Sequence, residues 1–409
     1  MKKPELRFPE FTDAWEQRKL GELGEISTGS TPSTANSAYY SDDGMPWVTP
    51  TDINALTISD TPRKLSEEGA KVGRVVPANT ILCTCIASIG KNTLLTVKGS
   101  FNQQINSLTP YDENDAYFLL TESEIWSNTM KRMAASGTMQ IVNKAEFSEL
   151  KTKVPSLAEQ QQIGTYFKNL DNLITLQQRK YEQLLNVKKS MLEKMFPKEG
   201  EKVPEIRFEG FTDDWEQRKL LDLLIQPVTD GPHETPELVD EGIPFISVDA
   251  IVDNKIDFNR KRGNISEEYD EVCCKKYKPQ LHDVYLVKSG STVGKVAIVE
   301  TTERFNIWSP LAALRCGDKT NPYFLYNLLQ TKDLQAQVVD KSSNGTQPNL
   351  SMRELEKFTV TVPGYLEEQD KIGEFFSHLD NLITLHQRKY EKLLDVKKAL
   401  LSKLIGGAN

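Results

Sequence analysis

Few side chains in this 409-residue sequence are suited to acid–base or covalent chemistry. Its four histidines are His233, His282, His378 and His386, and none of them belongs to a recognisable catalytic motif. The sequence contains no G-x-x-x-x-G-K-[ST] phosphate-binding loop, no H-E-x-x-H pair and no nucleophile elbow. We therefore expect no catalytic residue and no cofactor bound to this chain.

Amide, hydroxyl and basic side chains instead collect in three short segments of the first half of the chain and in two of the second half. Asn and Gln pair well with adenine edges, Arg and Lys with guanine edges, and hydroxyls suit phosphates. The candidate DNA-contacting residues of the first half are Ser88, Lys91, Asn92, Asn102, Gln103, Thr138, Gln140, Asn143 and Lys144. Those of the second half are Lys288, Ser291, Thr292, Lys295, Asn344, Thr346, Gln347, Asn349 and Arg353. The alternative interpretation is that these are ordinary polar hairpin loops.

Composition and charge set further limits on the class of protein. The net charge of −8 argues against indiscriminate coating of nucleic acid but permits a local basic groove. Five cysteines show no metal-ligand spacing; Cys83 and Cys85 lie in an apolar run and are predicted to be buried thiols, so no metal site is expected. The sequence has neither an apolar run of membrane-spanning length nor a secretory signal, so we expect a cytoplasmic protein.

The elements that would position these loops are present twice. FPEFTDAWEQRKLGEL at Phe8 returns as FEGFTDDWEQRKLLDL at Phe208, and GMPWVTPTDI at Gly44 resembles GIPFISVDAI at Gly242. SIGKNTLL resembles TVGKVAIV, and the segment LDNLITLQQRKYEQLLNVKK at Leu170 is nearly repeated at Leu379. The chain is therefore two consecutive copies of a head followed by a helix-like segment.

Each head is predicted to mix strands and helices. The β-branched runs WVTPTDI, TILCTCIAS, DVYLVKSG and KVAIVE are typical of strands, and AYFLLTESEIWSNTMKRMA and PYFLYNLLQTKDLQAQVV are typical of helices. The motif FTDxWEQRKL is predicted to be a structural turn. Thr12 or Asp13, and Thr212 or Asp213, would cap a short helix there.

The repeated segments show a heptad pattern of mainly apolar residues over nearly five heptads, which predicts long helices that pack through one seam. The first seam comprises Ile163, Phe167, Leu170, Ile174, Gln177, Tyr181, Leu184, Lys188, Met191 and Met195. The second comprises Ile372, Phe376, Leu379, Ile383, His386, Tyr390, Leu393, Lys397, Leu400 and Leu404. His386 replaces Gln177 at one seam position and is predicted to set helix register rather than to catalyse.

The expected architecture is mixed α/β, with two similar heads joined by two long helices that form an antiparallel coiled coil with internal pseudo-two-fold symmetry. The predicted boundaries are 1–153 for the first head, 154–198 for the first helix, 199–361 for the second head and 362–409 for the second helix. The helical segments are about 75% identical over their best stretch, at 18 of 24 positions from Asn169, whereas the heads share only framework fragments. This contrast predicts one scaffold that carries two different recognition heads.

The combination of these features resembles the specificity (S) subunits of type I restriction–modification systems. The resemblance rests on FTDAWEQRKLGEL and FTDDWEQRKLLDL, the SIGK and TVGK turns, the sequences EQQQI and EEQDKI, and the two LDNLIT helices. It implies that each head is a target recognition domain for one half of a bipartite DNA site, and that the helix pair sets the spacer between the half-sites.

The resemblance also implies partners and a non-catalytic role. Two modification (M) subunits would dock on the helices and carry S-adenosylmethionine for adenine methylation, and restriction (R) subunits would supply ATP- and Mg-dependent translocation and cleavage. Two alternatives remain open from the residues alone. One is a coiled-coil adaptor whose heads bind proteins, and the other is a stand-alone methyltransferase or nuclease. NPYF at Asn321 lacks the second proline of a methyltransferase motif and favours a helix start.

Overall fold

The computed structural model describes residues 4–136, 141–343 and 347–406. It contains two compact units. Unit 1 comprises residues 1–178 and 388–409, and unit 2 comprises residues 179–387. Each unit contains one head together with parts of two long helices. Among the described residues, no helix has the length and apolar character needed to cross a membrane.

Unit 1 begins with head 1, the part of the chain before the first long helix. Its strands are β1 (Glu16–Lys19), β2 (Gly24–Thr28), β3 (Tyr40–Val48), β4 (Thr57–Ile58), β5 (Lys64–Leu65), β6 (Val75–Val76), β7 (Thr80–Thr84), β8 (Asn92–Leu95), β9 (Gly99–Phe101), β10 (Ile105–Pro110) and β11 (Lys151–Val154). Its helices are α1 (Leu20–Leu23), α2 (Glu67–Val72), α3 (Ala116–Ser136) and α4 (Lys144–Glu149), and the long helix α5 (Leu157–Lys194) follows.

Unit 2 contains head 2, which lies in the chain between the two long helices. Its strands are β12 (Glu216–Lys219), β13 (Thr229–Asp230), β14 (Ile243–Ile246), β15 (Ile251–Val252), β16 (Lys255–Ile256), β17 (Gly263–Ile265), β18 (Val284–Val287), β19 (Val296–Ile298), β20 (Asn306–Ile307), β21 (Leu311–Leu314) and β22 (Thr359–Val362). Its helices are α6 (Glu267–Cys274), α7 (Pro322–Leu328), α8 (Lys332–Lys341) and α9 (Met352–Glu356), and the long helix α10 (Leu366–Leu400) follows.

The two heads repeat one sheet topology. The main sheet of head 1 has strand order β2-β10-β7-β8-β4, and that of head 2 has the order β13-β21-β18-β19. A second sheet, β5-β3-β9-β6, corresponds to β17-β14-β20, and the ribbon β1-β11 corresponds to β12-β22. The central strands β7 and β18 are buried along their whole length, as their runs of apolar residues predict.

The tryptophan motif is an extended clamp and not the predicted short helix. Residues 16–19 form β1, and the backbone of β1 makes its hydrogen bonds to the partner strand β11. Thr12 and Asp13 therefore cap no helix at these residues. The helical prediction for Thr212 and Asp213 is wrong for the same reason, because residues 216–219 form β12. The predicted structural role of the motif is confirmed by the contacts of its tryptophan.

That clamp fixes each head to the beginning of the long helix that follows it. Arg7 makes a bidentate ion pair with the buried carboxylate of Glu159, with both N–O distances 2.7 Å, and the Trp15 indole donates to the same carboxylate. In head 2, Arg207 and Trp215 contact Glu368 in the same way. Hydrogen bonding to Glu159 raises the pKa of Arg7.

The heptad seam is buried partly by the heads and not only by the other long helix. In α5 the first four seam residues are buried in the core of unit 1 with Trp15 and Phe118: Ile163, Phe167, Leu170 and Ile174. Their counterparts in α10 are buried in the core of unit 2: Ile372, Phe376, Leu379 and Ile383. Tyr181 and Leu184 in unit 2, and Tyr390 and Leu393 in unit 1, are partly buried against the same cores.

The two long helices are antiparallel, because each unit pairs the beginning of one helix with the end of the other. In unit 1 the Lys397 amine lies 2.7 Å from the Asp171 carboxylate, and in unit 2 the Lys188 amine lies 2.7 Å from that of Asp380. Gln177 and His386 are half-buried, as polar seam positions require. The seam lysines thus form an ion pair between the two helices in each unit, whereas the role of His386 in setting register stays a prediction.

A main-chain hydrogen bond closes each unit at the far end of its paired helices. In unit 2 the Ile206 amide donates to the Lys194 carbonyl at 2.8 Å, so the chain leaving α5 folds back on the helix end. In unit 1 the Leu6 amide donates to the Lys403 carbonyl at 3.0 Å. The N-terminal segment therefore occupies, at the end of α10, the place that the segment after α5 occupies in unit 2.

Candidate nucleic-acid interface

Three polar segments of head 1 meet at the end of strand β7. The Cys85 amide donates to the Gln104 carbonyl at 2.8 Å, and the Cys85 carbonyl accepts from the Val142 amide at 2.9 Å. The hairpin between β7 and β8 begins at this residue. One residue thus joins the hairpin loop, the loop after β9 and the segment before α4, which were predicted as three separate recognition segments.

Head 2 repeats this junction with a different side chain at its centre. The Lys288 amide donates to the Pro310 carbonyl at 2.9 Å, and its carbonyl accepts from the Leu350 amide at 2.7 Å. The Gly290 amide also donates to the Pro348 carbonyl at 3.0 Å. The same strand end therefore carries a buried thiol in head 1 and a buried amine in head 2.

A fourth loop packs against each junction, and a glycine lies at the point of closest approach. A side chain at Gly29, just after β2, would lie 2.1 Å from the Asn102 carbonyl oxygen. One at Gly231, just after β13, would lie 1.8 Å from the Ile307 carbonyl oxygen. Only glycine allows these loops to pack so closely. Comparing the two halves of the sequence did not identify Gly29 and Gly231.

Several predicted residues of head 1 are exposed near this junction, whereas others are used in internal contacts. Ser88, Lys91 and Gln103 are exposed, and the Gln103 carboxamide oxygen accepts a hydrogen bond from the Thr31 hydroxyl. The side-chain amide of Asn92 donates to the Ser127 hydroxyl and to the Ser123 carbonyl on α3, so it fixes the hairpin to that helix.

The remaining predicted residues of head 1 fall into two groups. Asn102 is buried and hydrogen-bonds Gln104 within its own turn. Asn143 is exposed and caps α4, its oxygen accepting from the Glu146 amide at 3.0 Å, and Lys144 is exposed beside it. Thr138 and Gln140 lie outside the described residues.

Head 2 presents a similar division. Ser291, Lys295, Gln347, Asn349 and Arg353 are exposed and Thr292 is half-buried. The Lys295 amine donates to the Ile251 carbonyl at 3.4 Å. Asn344 and Thr346 lie outside the described residues.

Lys288 is the predicted residue whose surroundings differ most from an ordinary loop. Its amine lies 3.3 Å from the carboxylate of Asp230, a fully buried residue at the end of β13. Lys276 and His233 contact the same carboxylate. Sequence reasoning missed Asp230 and Lys276 because they lie far from Lys288 in the chain, and His233 because it has no counterpart in the first half.

Nothing among the described ranges suggests a metal site, since no group of three or more His, Cys, Asp or Glu side chains is placed to hold an ion. Cys83 and Cys85 are free and buried, which confirms their prediction as buried thiols. Burial raises the pKa of the Cys83 thiol, so it stays protonated. Asn321 caps α7 at Pro322, which confirms the predicted helix start at NPYF.

Exposed apolar side chains recur on the long helices with the 209-residue spacing of the repeat. In unit 1 they are Leu173, Leu176, Leu394 and Val396. In unit 2 they are Leu382, Leu385, Leu185 and Val187. We call these eight side chains the outer apolar residues; each is between 38% and 49% exposed. Because the sets are equivalent, the two units offer a partner the same chemistry.

Comparison with known proteins gives consistent results along the whole chain. The family model "Type I restriction modification DNA specificity domain" matches residues 12–186 and again residues 212–395. The type I restriction enzyme MjaIX specificity subunit of Methanocaldococcus jannaschii is 26% identical, over 96% of this chain and 93% of its own. The HindI specificity subunit of Haemophilus influenzae is 33% identical over 39% of this chain and 37% of its own.

A solved structure shows the same fold. The crystal structure of a type I restriction–modification S subunit from M. genitalium superposes with a TM-score of 0.65, covering 100% of both chains at 15% identity. The two-headed, two-helix architecture predicted from the repeats is therefore confirmed.

Proposed function

This chain belongs to the type I restriction–modification DNA specificity family, and from that premise we propose how its two heads and two helices divide the work of recognition. As a specificity subunit it is not itself an enzyme. Head 1 reads one half of a bipartite DNA target and head 2 reads the other half. We place head 1 within residues 1–153 and head 2 within 199–361, with the helical segments 154–198 and 362–409 as the scaffold.

The observation that carries this proposal is the junction of polar segments in each head. The same strand end collects the hairpin loop, the loop after β9 or β20 and the segment before α4 or α9. The backbone of the junction is repeated, but its central side chain is Cys85 in one head and Lys288 in the other. A common framework with different side chains is what two readers of different half-sites require.

The outer apolar residues support the docking of two copies of one partner. Equivalent exposed side chains occur in both units, so a protein that fits one set also fits the other. The expected partners are two modification subunits, which carry S-adenosylmethionine and methylate adenine. Restriction subunits with ATP and Mg complete the complex, and the assembly acts on cytoplasmic DNA.

Exchange of one head tests the division of labour between the heads. Residues 1–153 are replaced by the corresponding head of a relative that methylates a different motif, in a host that supplies the modification subunits. Single-molecule methylome sequencing is expected to show one changed half-site and one unchanged half-site, with the original spacer. Replacement of residues 199–361 is the matched variant and is expected to change the other half-site.

Two outcomes would contradict the proposal. If replacing one head altered both half-sites, the heads would not be independent readers. If the wild-type chain and its modification subunits methylated no defined motif, the chain would not direct sequence recognition.

A further inference from the structure

A buried carboxylate in head 2 is surrounded by more positive than negative charge. The Asp230 side chain is fully buried, and its Oδ1 accepts a hydrogen bond from the Lys276 amine. The Lys288 amine and the His233 Nε2 each lie 3.3 Å from its Oδ2. One carboxylate can neutralise only one of the two lysines, so the Asp230 cluster, formed by these four residues, retains a net positive charge.

The cluster opens toward solvent on one side. The Lys288 side chain is 11% exposed, that of Lys276 is 45% exposed and that of His233 is 69% exposed. Among the contacts of the described residues, the buried Oδ2 of Asp230 has no hydrogen bond of good geometry. Asp230 therefore serves as a buried anchor that holds the lysines together, while the Lys276 amine and the His233 ring face the surface.

The loop that carries His233 is held in place by several contacts. The Ser309 amide donates to the Pro232 carbonyl at 3.2 Å, and the Trp308 indole donates to the Glu234 carbonyl at 3.2 Å. The Glu234 carboxylate accepts from the Tyr269 hydroxyl at 3.3 Å. Because the acid nearest to His233 in the chain is engaged elsewhere and the loop is fixed, the His233 ring is held in position before any ligand arrives.

Head 1 lacks this cluster at the equivalent place. Strand register aligns Asp230 with Thr28, and the junction aligns Lys288 with Cys85. Thr28 donates to the Asn106 carboxamide oxygen at 2.7 Å, a neutral contact. The charge is thus a property of head 2 and not a requirement of the shared fold.

We infer that the Asp230 cluster binds one phosphodiester group of the DNA backbone, beside the half-site that head 2 reads. This inference rests on the proposed function. A singly charged tetrahedral anion matches the surplus charge, and Lys276 and His233 can donate to its two free oxygens. Lys288 lies behind them and adds attraction from the protein interior. Lysine can also bind a guanine edge, but two lysines held on one buried carboxylate leave a surplus positive charge, which matches an anionic phosphate better than a neutral base.

The test combines neutralised phosphates with one variant of the cluster. The full chain is assembled with its modification subunits and bound to duplexes that carry its methylated motif, each with one methylphosphonate. The wild-type complex is expected to lose about tenfold in affinity at one position near the half-site of head 2. Lys276→Gln is expected to lose about tenfold on the unmodified duplex and less than twofold more at that position, because both changes remove the same contact.

Lys275→Gln is the matched control, because Lys275 is the exposed lysine one position earlier, at the end of α6. It is expected to keep the wild-type sensitivity to the neutralised phosphate. The inference is overturned if Lys276→Gln leaves the affinity unchanged, or weakens binding without altering the sensitivity at any phosphate. A changed methylated motif in Lys276→Gln would also overturn it, since Lys276 would then read a base. Absence of motif-specific binding by the wild-type complex would instead contradict the proposed function.

Discussion

Glu122 is a carboxylic acid held on helix α3 where water does not reach it. The residue is 1% exposed; the Thr152 hydroxyl donates to one of its oxygens, and the other has no partner among the described residues. Burial raises the pKa of the Glu122 carboxyl to about 8. Glu122 lies in a helix that is buried at some positions and exposed at others, so the sequence alone did not reveal that this side chain is buried. The residues that exclude water from it come from strands that are distant in the chain.

The raised pKa of Glu122 predicts a specific dependence of stability on pH. The folded chain keeps this proton up to about pH 8, whereas the unfolded chain releases it near its ordinary pKa of 4.5. Between these values the folded state binds more protons, so the free energy of unfolding falls as pH rises, by up to about 1.4 kcal/mol per unit. Urea denaturation at pH 5 and pH 8 should show a smaller fall in Glu122→Gln than in the wild type.

Glu124→Gln is the control for this measurement, since Glu124 is exposed on the same helix. It should preserve the wild-type difference between pH 5 and pH 8. Parallel pH profiles for the wild type and Glu122→Gln would show that Glu122 does not hold its proton in the folded state.

The long helices show what a hydrophobic period can and cannot predict. The heptad steps predicted two long helices with one buried face, and α5 and α10 have that face buried. The steps did not predict that Phe167 and Phe376 would be buried in the cores that include the heads. A periodic pattern reports that a face is covered but contains no information about which element covers it.

The ion pairs between the helices determine how the spacer can be lengthened. A heptad added to both helices, after Thr175 and after Thr384, adds about 10 Å to each and keeps Asp171–Lys397 and Lys188–Asp380 in register. Methylome sequencing should then show both half-sites unchanged and a spacer longer by about three base pairs. An unchanged spacer would mean that helix length does not set the separation of the half-sites.

A heptad added to α5 alone is the matched control. The two ion pairs cannot then both form, because the antiparallel partner α10 keeps its length. Breaking a largely buried ion pair costs about 3 kcal/mol or more. This variant should therefore lose thermal stability and methylation, rather than recognise a longer spacer.

For the whole molecule, the internal repeat predicted the architecture better than any single motif did. Two heads and two helices followed from comparing the halves of the chain, and FTDxWEQRKL was placed correctly as a structural element although not as a helix. The recognition surface was predicted less well because its parts come from separated loops. Asp230 and Lys276 join Lys288 only through folding, and residues such as Asn92 had polar side chains that serve internal contacts. The individual DNA contacts remain predictions.

The hydrogen bond between Leu6 and Lys403 predicts that the chain tolerates the two repeats in either order, because it matches the bond between Ile206 and Lys194. Eleven residues separate Lys194 from Ile206, and eleven would separate Lys403 from Leu6 if Asn409 were joined directly to Met1. A gene opened at Gly200 and closed in this way should encode a circular permutant that directs methylation to the same motif, which methylome sequencing can check. A different motif would show that the break at Gly200 disturbs recognition. If the permutant is active, neither head has to come first in the chain. Genes for single heads could then be fused or exchanged at either repeat.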